Sequence, residues 1–159
     1  MCDIVEANTP EQIEQVRNLF AEYRAQLPVD YCFRTFDAEI AGLPGAYARP
    51  QGTLLLATVV GQPVGCVGLR PFPLPKTCEM KRLYVRPGFR GGKVGRMLVE
   101  QVLREARRLG YASMRLDSYP PTMQAAVAMY RRFGFREVGA APLEANDELI
   151  YMELPLPAS

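Results

Sequence analysis

The sequence predicts an α/β fold in one domain, with a mixed, mostly antiparallel central sheet flanked by helices. Three observations predict it. The chain of 159 residues suits a single domain, and 48% of its residues are hydrophobic, enough to fill a core. Apolar residues recur at helical spacing in some segments and form short β-rich runs in others. The predicted strands first follow one another as a hairpin and then alternate with helices, which favours a mixed sheet covered on both faces.

The N-terminal region, about residues 9–42, is predicted to be helical. Thr9 followed by Pro10 is typical of a helix start, because proline suits the first helical position. A second short helix is predicted over residues 36–41. Residues 43–52 are rich in glycine and proline and are predicted to form a loop.

The remaining predicted elements lie within residues 53–154. Two helices are predicted, at about residues 94–109 and 122–133, and a glycine follows each, as is typical of a helix C-terminus. The predicted strands are residues 53–60, 64–69, 77–85, 112–118, 135–138 and 148–154. We therefore treat residues 1–159 as one domain.

Composition narrows the class of protein. The formal net charge of +2 is too small to indicate nucleic-acid binding by itself. No apolar run is long enough to span a bilayer, and the N-terminus lacks the layout of a signal peptide. We therefore expect a cytoplasmic protein without a membrane partner. The four cysteines show no C-x-x-C spacing, so reduced thiols are favoured over disulfides or a metal site.

The sequence contains no histidine. This excludes an imidazole general base, a histidine-activated nucleophile and the H-E-x-x-H type of zinc site. An enzyme with this sequence would have to move protons with carboxylate, phenol, thiol, amine or water. Cys66 and Cys78 lie in predicted strands, where cysteine is usually a small buried hydrophobe, so a thiol nucleophile is disfavoured.

A glycine-rich, basic turn precedes the first of the two later helices. Residues 85–98 read VRPGFRGGKVGRML. The first N–H groups of a helix have no intrahelical acceptor, and glycines let a ligand approach the backbone closely, so this arrangement favours a phosphate or pyrophosphate site. Neither the P-loop nor the G-x-G-x-x-G spacing fits. The alternative is a tight strand-to-helix turn whose basic residues are only solvated.

This stretch resembles the acetyl-CoA-binding loop of the GNAT superfamily of N-acetyltransferases. The family pattern is arginine or glutamine, two residues, glycine, one residue, then glycine or alanine. Arg90 occupies the first position and Gly95 the last, while Lys93 replaces the middle glycine.

Further stretches resemble the same family. EMKRLYV, residues 79–85, is similar to the strand that precedes the loop, and MYRRFGF, residues 129–135, is similar to the second signature with its tyrosine and Gly-Phe. Together with RLDS, the resemblance covers about residues 53–154 and implies a GNAT-like fold.

The resemblance implies direct transfer of an acetyl group from acetyl-CoA to a primary amine of a small molecule or peptide, in a ternary complex and without a metal. The pantetheine arm of the cofactor would pair with the edge of the strand that leads into the loop. The diphosphate would lie on the N–H groups around residues 91–96. The residues expected to bind the cofactor are Leu83, Tyr84, Val85, Arg90, Gly91, Gly92, Lys93, Val94, Gly95 and Arg96.

Two residues are catalytic candidates. Glu79 is expected on the strand face that carries Leu83 and Val85, since alternate residues share a face, and the resemblance implies a general base there. The alternative for Glu79 is a carboxylate paired with neighbouring basic residues. Tyr130 matches the family's tyrosine, which implies a general acid for the leaving thiolate, and the alternative is an aromatic core residue.

The acceptor site of the family is usually built from the N-terminal helices and nearby loops. Aromatic and basic residues there are candidates for substrate contacts: Tyr31, Arg34 and Tyr47. Such a lining suits a small amphipathic amine, or one with a carboxylate that Arg34 could bind. The alternative is that these aromatic side chains only cover the sheet.

Two other functions stay open at this point. The fold could hold acyl-CoA without turnover, as a sensor or interaction module. Nucleic-acid binding by the arginines of the later helices is disfavoured because glutamates interleave with them. A homodimer is also left open.

Overall fold

The computed structural model describes residues 1–27, 33–141 and 148–157. Seven strands form one sheet in the order β1-β2-β3-β4-β5-β7-β6. All neighbouring strands are antiparallel except β4 and β5, which are parallel. The strands are β1 (Cys2–Glu6), β2 (Thr53–Val59), β3 (Gln62–Pro71), β4 (Thr77–Val85), β5 (Ser113–Ser118), β6 (Arg136–Val138) and β7 (Ile150–Pro155). The helices are α1 (Pro10–Ala25), α2 (Phe33–Ala41), α3 (Val94–Arg108) and α4 (Gln124–Phe133).

Helices cover both faces of the sheet, as predicted. On one face α1 and α2 enclose a cluster in which Phe20, Phe36 and Tyr47 meet edge to face. On the other face α3 and α4 pack their apolar sides on a larger cluster that includes Leu98 and Met114. The mixed sheet between two helical layers confirms the predicted fold class.

Local sequence determines where the helices begin and end. Thr9 caps α1, because its Oγ1 accepts from the Gln12 amide at 3.1 Å while Gln12 Oε1 accepts from the Thr9 amide at 3.2 Å. Gly110 and Gly134 follow α3 and α4 with φ of +88° and +104°, a left-handed conformation that glycine adopts without strain. Among the described residues, no helix is both long and apolar enough to cross a lipid bilayer.

The first strand was not predicted. β1 pairs with β2 along its whole length at the edge of the sheet. Its burial alternates, with half-buried Cys2, Ile4 and Glu6 and exposed Asp3 and Val5. Only one face of this short edge strand is covered, and acidic residues interrupt its apolar pattern. The sequence therefore gives only a weak indication of a strand here.

A β-bulge in β4 corrects one expectation. Gly68 is opposite Lys81 and Cys66 is opposite Tyr84, so two residues of β4 face one of β3. Arg82 lies at this bulge with a φ of +60°. Strict alternation therefore fails, and the prediction that Glu79 shares a face with Leu83 and Val85 is wrong.

The residues of β4 contact two different cores, and the bulge shifts their alternation between these cores. Leu83 and Val85 pack against the cluster under α3, together with Met80. Tyr84 belongs to the cluster under α1. Glu79 also lies on the α1 side, because its carboxylate pairs with Arg70, whose guanidinium stacks near the ring of Tyr47.

Candidate active site

β4 and β5 separate halfway along their length. They pair only through residues 77–79 and 113–115, and beyond these neither strand has a partner in the other. A cavity of about 780 Å³ lies at the separation. Its walls come from both strands, the C-terminal end of α1, the inner face of α4 and the glycine-rich loop. The edge of β4 from residue 80 onward therefore offers free backbone groups to an extended ligand.

The glycine-rich loop closes one end of the cavity. Lys93 is the N-cap residue of α3, and no described side chain caps the helix, so its first N–H groups are available for an anion. An added Cβ would meet nothing within 4 Å at Gly91 and only the Phe89 carbonyl at 3.8 Å at Gly92, so both positions leave room in front of the backbone. Lys93 has a φ of −98°, which any L-residue adopts, so the family's middle glycine is not needed for this backbone.

Side chains from α1 hold this loop in place. Arg90 donates to the Val85 carbonyl at 2.7 Å and to Gln26 Oε1 at 2.8 Å. Arg86 forms a two-pronged pair with Glu22, with the shortest contact at 2.7 Å. Arg90 therefore supports the loop, whereas Arg96 and Arg132 also line the cavity and add positive charge near it.

Tyr130 lies on α4 and lines the middle of the cavity. Its side chain is 6% exposed and its ring packs edge to face on Phe135. Its hydroxyl makes no hydrogen bond with any residue that the structure describes. Burial raises the pKa of Tyr130, and the nearby Tyr23 and Asp117 raise it further. The phenol therefore keeps its proton throughout the physiological range.

Glu79 is buried and paired, and it does not line the cavity. Its carboxylate lies 3.1 Å from Arg70 Nε and 3.9 Å from Lys81 Nζ. Asp117, near the end of β5, does line the cavity, and its Oδ2 is 3.1 Å from Lys81 Nζ. Asp117 was not singled out from the sequence. The sequence feature that could have identified Asp117 is its position near the end of a predicted strand, within the RLDS stretch.

The predicted substrate residues have different placements. Tyr31 and the side chain of Arg34 lie outside the described residues. Tyr47 is 2% exposed, donates to Glu39 Oε2 at 2.8 Å and does not line the cavity. This placement argues against direct contact between Tyr47 and an acceptor. The cavity is lined on the α1 side by Tyr23, Leu27, Lys81, Arg82 and Met123 instead.

The two strand cysteines are buried hydrophobes, in agreement with the sequence. Cys66 and Cys78 are both 0% exposed and form no disulfide. Burial raises the pKa of the Cys78 thiol to about 12 and raises that of Cys66 as well. Neither thiol lines the cavity, so a route through an acyl-cysteine has no support within the described chain.

Comparison with known proteins agrees with this geometry. A model of the acetyltransferase (GNAT) family matches residues 13–135. An uncharacterised N-acetyltransferase of Schizosaccharomyces pombe is 36% identical over 148 residues, which cover 92% of this chain and 90% of that protein. An acetyltransferase of the GNAT family from Staphylococcus aureus has a TM-score of 0.79 at 17% identity, covering 99% of this chain and 100% of that one. An acetyltransferase from Salmonella typhimurium, solved with acetyl-CoA, has a TM-score of 0.75 at 21% identity, covering 98% and 94%.

The chain shares with these acetyltransferases a mixed sheet, which here opens between two parallel strands beside the N-terminus of α3. This is an acyltransferase fold. The chain belongs to the acetyltransferase (GNAT) family. It is an N-acetyltransferase that takes acetyl-CoA as its cosubstrate. This sets aside the alternative of a protein that holds acyl-CoA without turnover.

Proposed function

We propose that the chain transfers the acetyl group directly from acetyl-CoA to a primary amine of a small molecule or peptide while both are bound. One observation carries this proposal. The gap between β4 and β5 is lined by the loop at the N-terminus of α3, by the buried phenol of Tyr130 and by the half-buried carboxylate of Asp117. An extended thioester with a charged diphosphate fits such a gap, and the amine can approach from the α1 side.

Eight of the ten predicted cofactor-binding residues line the cavity, whereas Lys93 and Val94 do not. Leu83, Tyr84 and Val85 line the gap, and their strand does not pair with β5 there, so the edge that faces the gap can pair with the amide groups of pantetheine. The N–H groups around residues 91–96 would bind the diphosphate, and Arg96 would add charge.

Proton transfer at the two ends of the reaction needs an acid and a base. The amine nitrogen forms a bond to the acetyl carbon, the C–S bond breaks, and the thiolate of CoA leaves. We assign the proton for that thiolate to Tyr130, since its side chain lines the gap and its raised pKa keeps it protonated. Solvent then returns a proton to the phenol.

The base that takes the proton from the amine has two candidates. Glu79 stays a prediction, and its ion pairs with Arg70 and Lys81 separate it from the cavity. Asp117 has better support, because its carboxylate lines the cavity and is 19% exposed. We propose Asp117 as the base, acting directly or through one water molecule.

The first test needs only CoA and acetyl-CoA, so the acceptor does not have to be identified beforehand. We expect calorimetry to detect binding of CoA and thermal unfolding to shift upward when CoA is present. A thiol-release assay with acetyl-CoA should then identify acceptors among amino acids, polyamines, aminoglycosides and peptide N-termini. Absence of affinity for acetyl-CoA at millimolar concentration would contradict the proposal. The oligomeric state, including a homodimer, stays a separate prediction for light scattering.

A further inference from the structure

The acceptor end of the cavity holds two hydrogen-bond donors that the reaction above does not use. They are the guanidinium of Arg82, at the β4 bulge, and the hydroxyl of Tyr23, on α1. Both side chains line the cavity beside Asp117. We call Arg82 and Tyr23 the donor pair.

Arg82 is held rigidly. Its Nε and Nη2 donate to the two carboxylate oxygens of Glu39, each at 3.0 Å, and its guanidinium lies 3.8 Å from the centre of the Phe36 ring. The side chain is 8% exposed. Its Nη1 makes no hydrogen bond with any described residue. The N–H groups of Nη1 are therefore available to a ligand, and the Glu39 pair fixes their direction.

Tyr23 is fixed by its ring. The ring packs against Phe36 at 5.9 Å and against Tyr84 at 5.8 Å between centroids. Its hydroxyl has no hydrogen-bond partner among the described residues. Burial raises the pKa of Tyr23 to about 12, while Arg82 acts to lower it and Asp117 to raise it. The hydroxyl therefore stays a donor at neutral pH. The charges of Arg82 and Asp117 are close enough to affect its pKa.

Two donors that line the cavity and bond to no described residue favour a ligand group that accepts hydrogen bonds. The charges of the surrounding side chains then favour some of these groups over others. Among the described residues, the ion-paired side chains around this end carry three positive and three negative charges: Arg70, Lys81, Arg82, Glu39, Glu79 and Asp117. A carboxylate binds the guanidinium of Arg82 more strongly than a neutral carbonyl does, and its single negative charge disturbs this balance less than a doubly charged phosphate would. The ammonium form of an acceptor has its own partner close by, in Asp117.

We propose that the acceptor carries a carboxylate as well as its amine, as a free amino acid does, and that Arg82 and Tyr23 bind that carboxylate. This inference rests on the proposed function and names its substrate class. It makes Arg82 and Tyr23 acceptor-binding residues, with Glu39 as the positioning residue that holds Arg82.

Matched probes test the proposal on the full chain with saturating acetyl-CoA. Each probe set contains a free L-amino acid and its primary amide, for alanine, methionine, phenylalanine and aspartic acid (the α-amide). The amide keeps the amine and side chain but loses the α-carboxylate. Thiol release should give a kcat/KM at least about tenfold higher for the acid of the preferred set, the size expected for a charge-assisted hydrogen bond. The amide amine is less basic and so more of it is unprotonated at neutral pH, which by itself would favour the opposite order.

Two variants connect that preference to the donor pair. Tyr23→Phe removes only the hydroxyl and leaves the ring contacts, and Arg82→Lys keeps the charge but loses the two-pronged contact with Glu39. Both should reduce the acid-to-amide ratio to less than about a third of its native value while the calorimetric affinity for CoA stays within about twofold. Should Arg82→Lys fold poorly, Tyr23→Phe decides the question alone.

Three results would overturn the proposal. The amides could be acetylated as well as the acids, or no carboxylate-bearing probe could be turned over at all. The variants could instead weaken CoA binding and keep the native preference, which would assign the donor pair to carbonyl groups of pantetheine. Failure of the proposed function has a different signature, since acetyl-CoA would then not bind to the native chain.

Discussion

The two ends of the cavity are built in different ways. The proposed diphosphate end offers backbone N–H groups from one continuous stretch, residues 91–96, with Gly91 at a φ of +82°. The proposed acceptor end offers side chains from three separate elements: Tyr23 from α1, Arg82 from the β4 bulge and Asp117 from β5. Backbone recognition suits a cosubstrate that never changes, whereas side chains allow the acceptor to differ between relatives. Substitutions at the diphosphate end should therefore change the binding of acetyl-CoA, and substitutions at the acceptor end should change the reaction with the amine.

The largest effect is expected where the two ends meet. Tyr130→Phe should lower kcat by about 10²–10⁴-fold, because it removes the proton donor for the thiolate. The phenol makes no hydrogen bond within the described chain, so Tm and the affinity for CoA should stay near native values. Stopped-flow thiol release, calorimetry and thermal unfolding measure the three quantities. Full turnover by Tyr130→Phe would remove the assignment.

The pH profile of the native enzyme gives an independent check on Tyr130. Since burial raises its pKa above the usual value near 10, the phenol should not lose its proton between pH 7 and about pH 10. We therefore expect that loss of this proton does not lower kcat between pH 7 and about pH 10. A fall of kcat in this window that is present in the native enzyme and absent in Tyr130→Phe would contradict this expectation.

The next largest effect distinguishes the two carboxylates. Asp117→Asn should lower kcat/KM for the acceptor by about 10²-fold and leave CoA binding unchanged. Glu79→Gln serves as the matched control. It breaks the buried pair with Arg70, so it should lower Tm by about 4–8 °C, corresponding to about 2 kcal/mol, with a much smaller change in kcat. The reverse pattern would restore Glu79 as the base.

The same contrast explains what the sequence could predict. Residues 90–96 are contiguous, so a local pattern of glycines and basic residues was sufficient to predict a diphosphate site there, and that site stays a prediction. Asp117 and Tyr23 meet only because β5 follows β4 in the sheet and α1 covers that region, which no local pattern encodes. Glu79 was placed on the wrong face because the alternation rule holds only for a regular strand, and the bulge at Arg82 interrupts it.

A smaller effect should be confined to the diphosphate end. Gly95→Ala places a Cβ at 3.8 Å from Val85 Cγ2 and 3.9 Å from Met129 Cε, which are ordinary contacts, so the free protein should tolerate it. Alanine in the first turn of α3 should even stabilise the fold by about 0.5 kcal/mol. The same Cβ lies beside the proposed diphosphate, so KM for acetyl-CoA should rise about tenfold while kcat changes little.

Gly88→Ala is the matched control for that variant. An added Cβ at Gly88 meets nothing within 4 Å, and Gly88 does not line the cavity. Its KM for acetyl-CoA should therefore equal that of the native chain. Equal KM values for Gly95→Ala and Gly88→Ala would mean that the diphosphate does not lie on the first turn of α3.

The smallest effect is expected for the position at which this chain departs from its family. Lys93 is exposed, its φ of −98° is open to any L-residue, and it contributes no side-chain cap to α3. Lys93→Gly removes one of several positive charges near the loop and should change KM for acetyl-CoA by less than about threefold. A tenfold improvement in KM would show that the lysine side chain obstructs the diphosphate. A tenfold loss would instead make Lys93 a direct phosphate ligand, and cofactor binding at this end would then depend on a side chain as well as on the backbone.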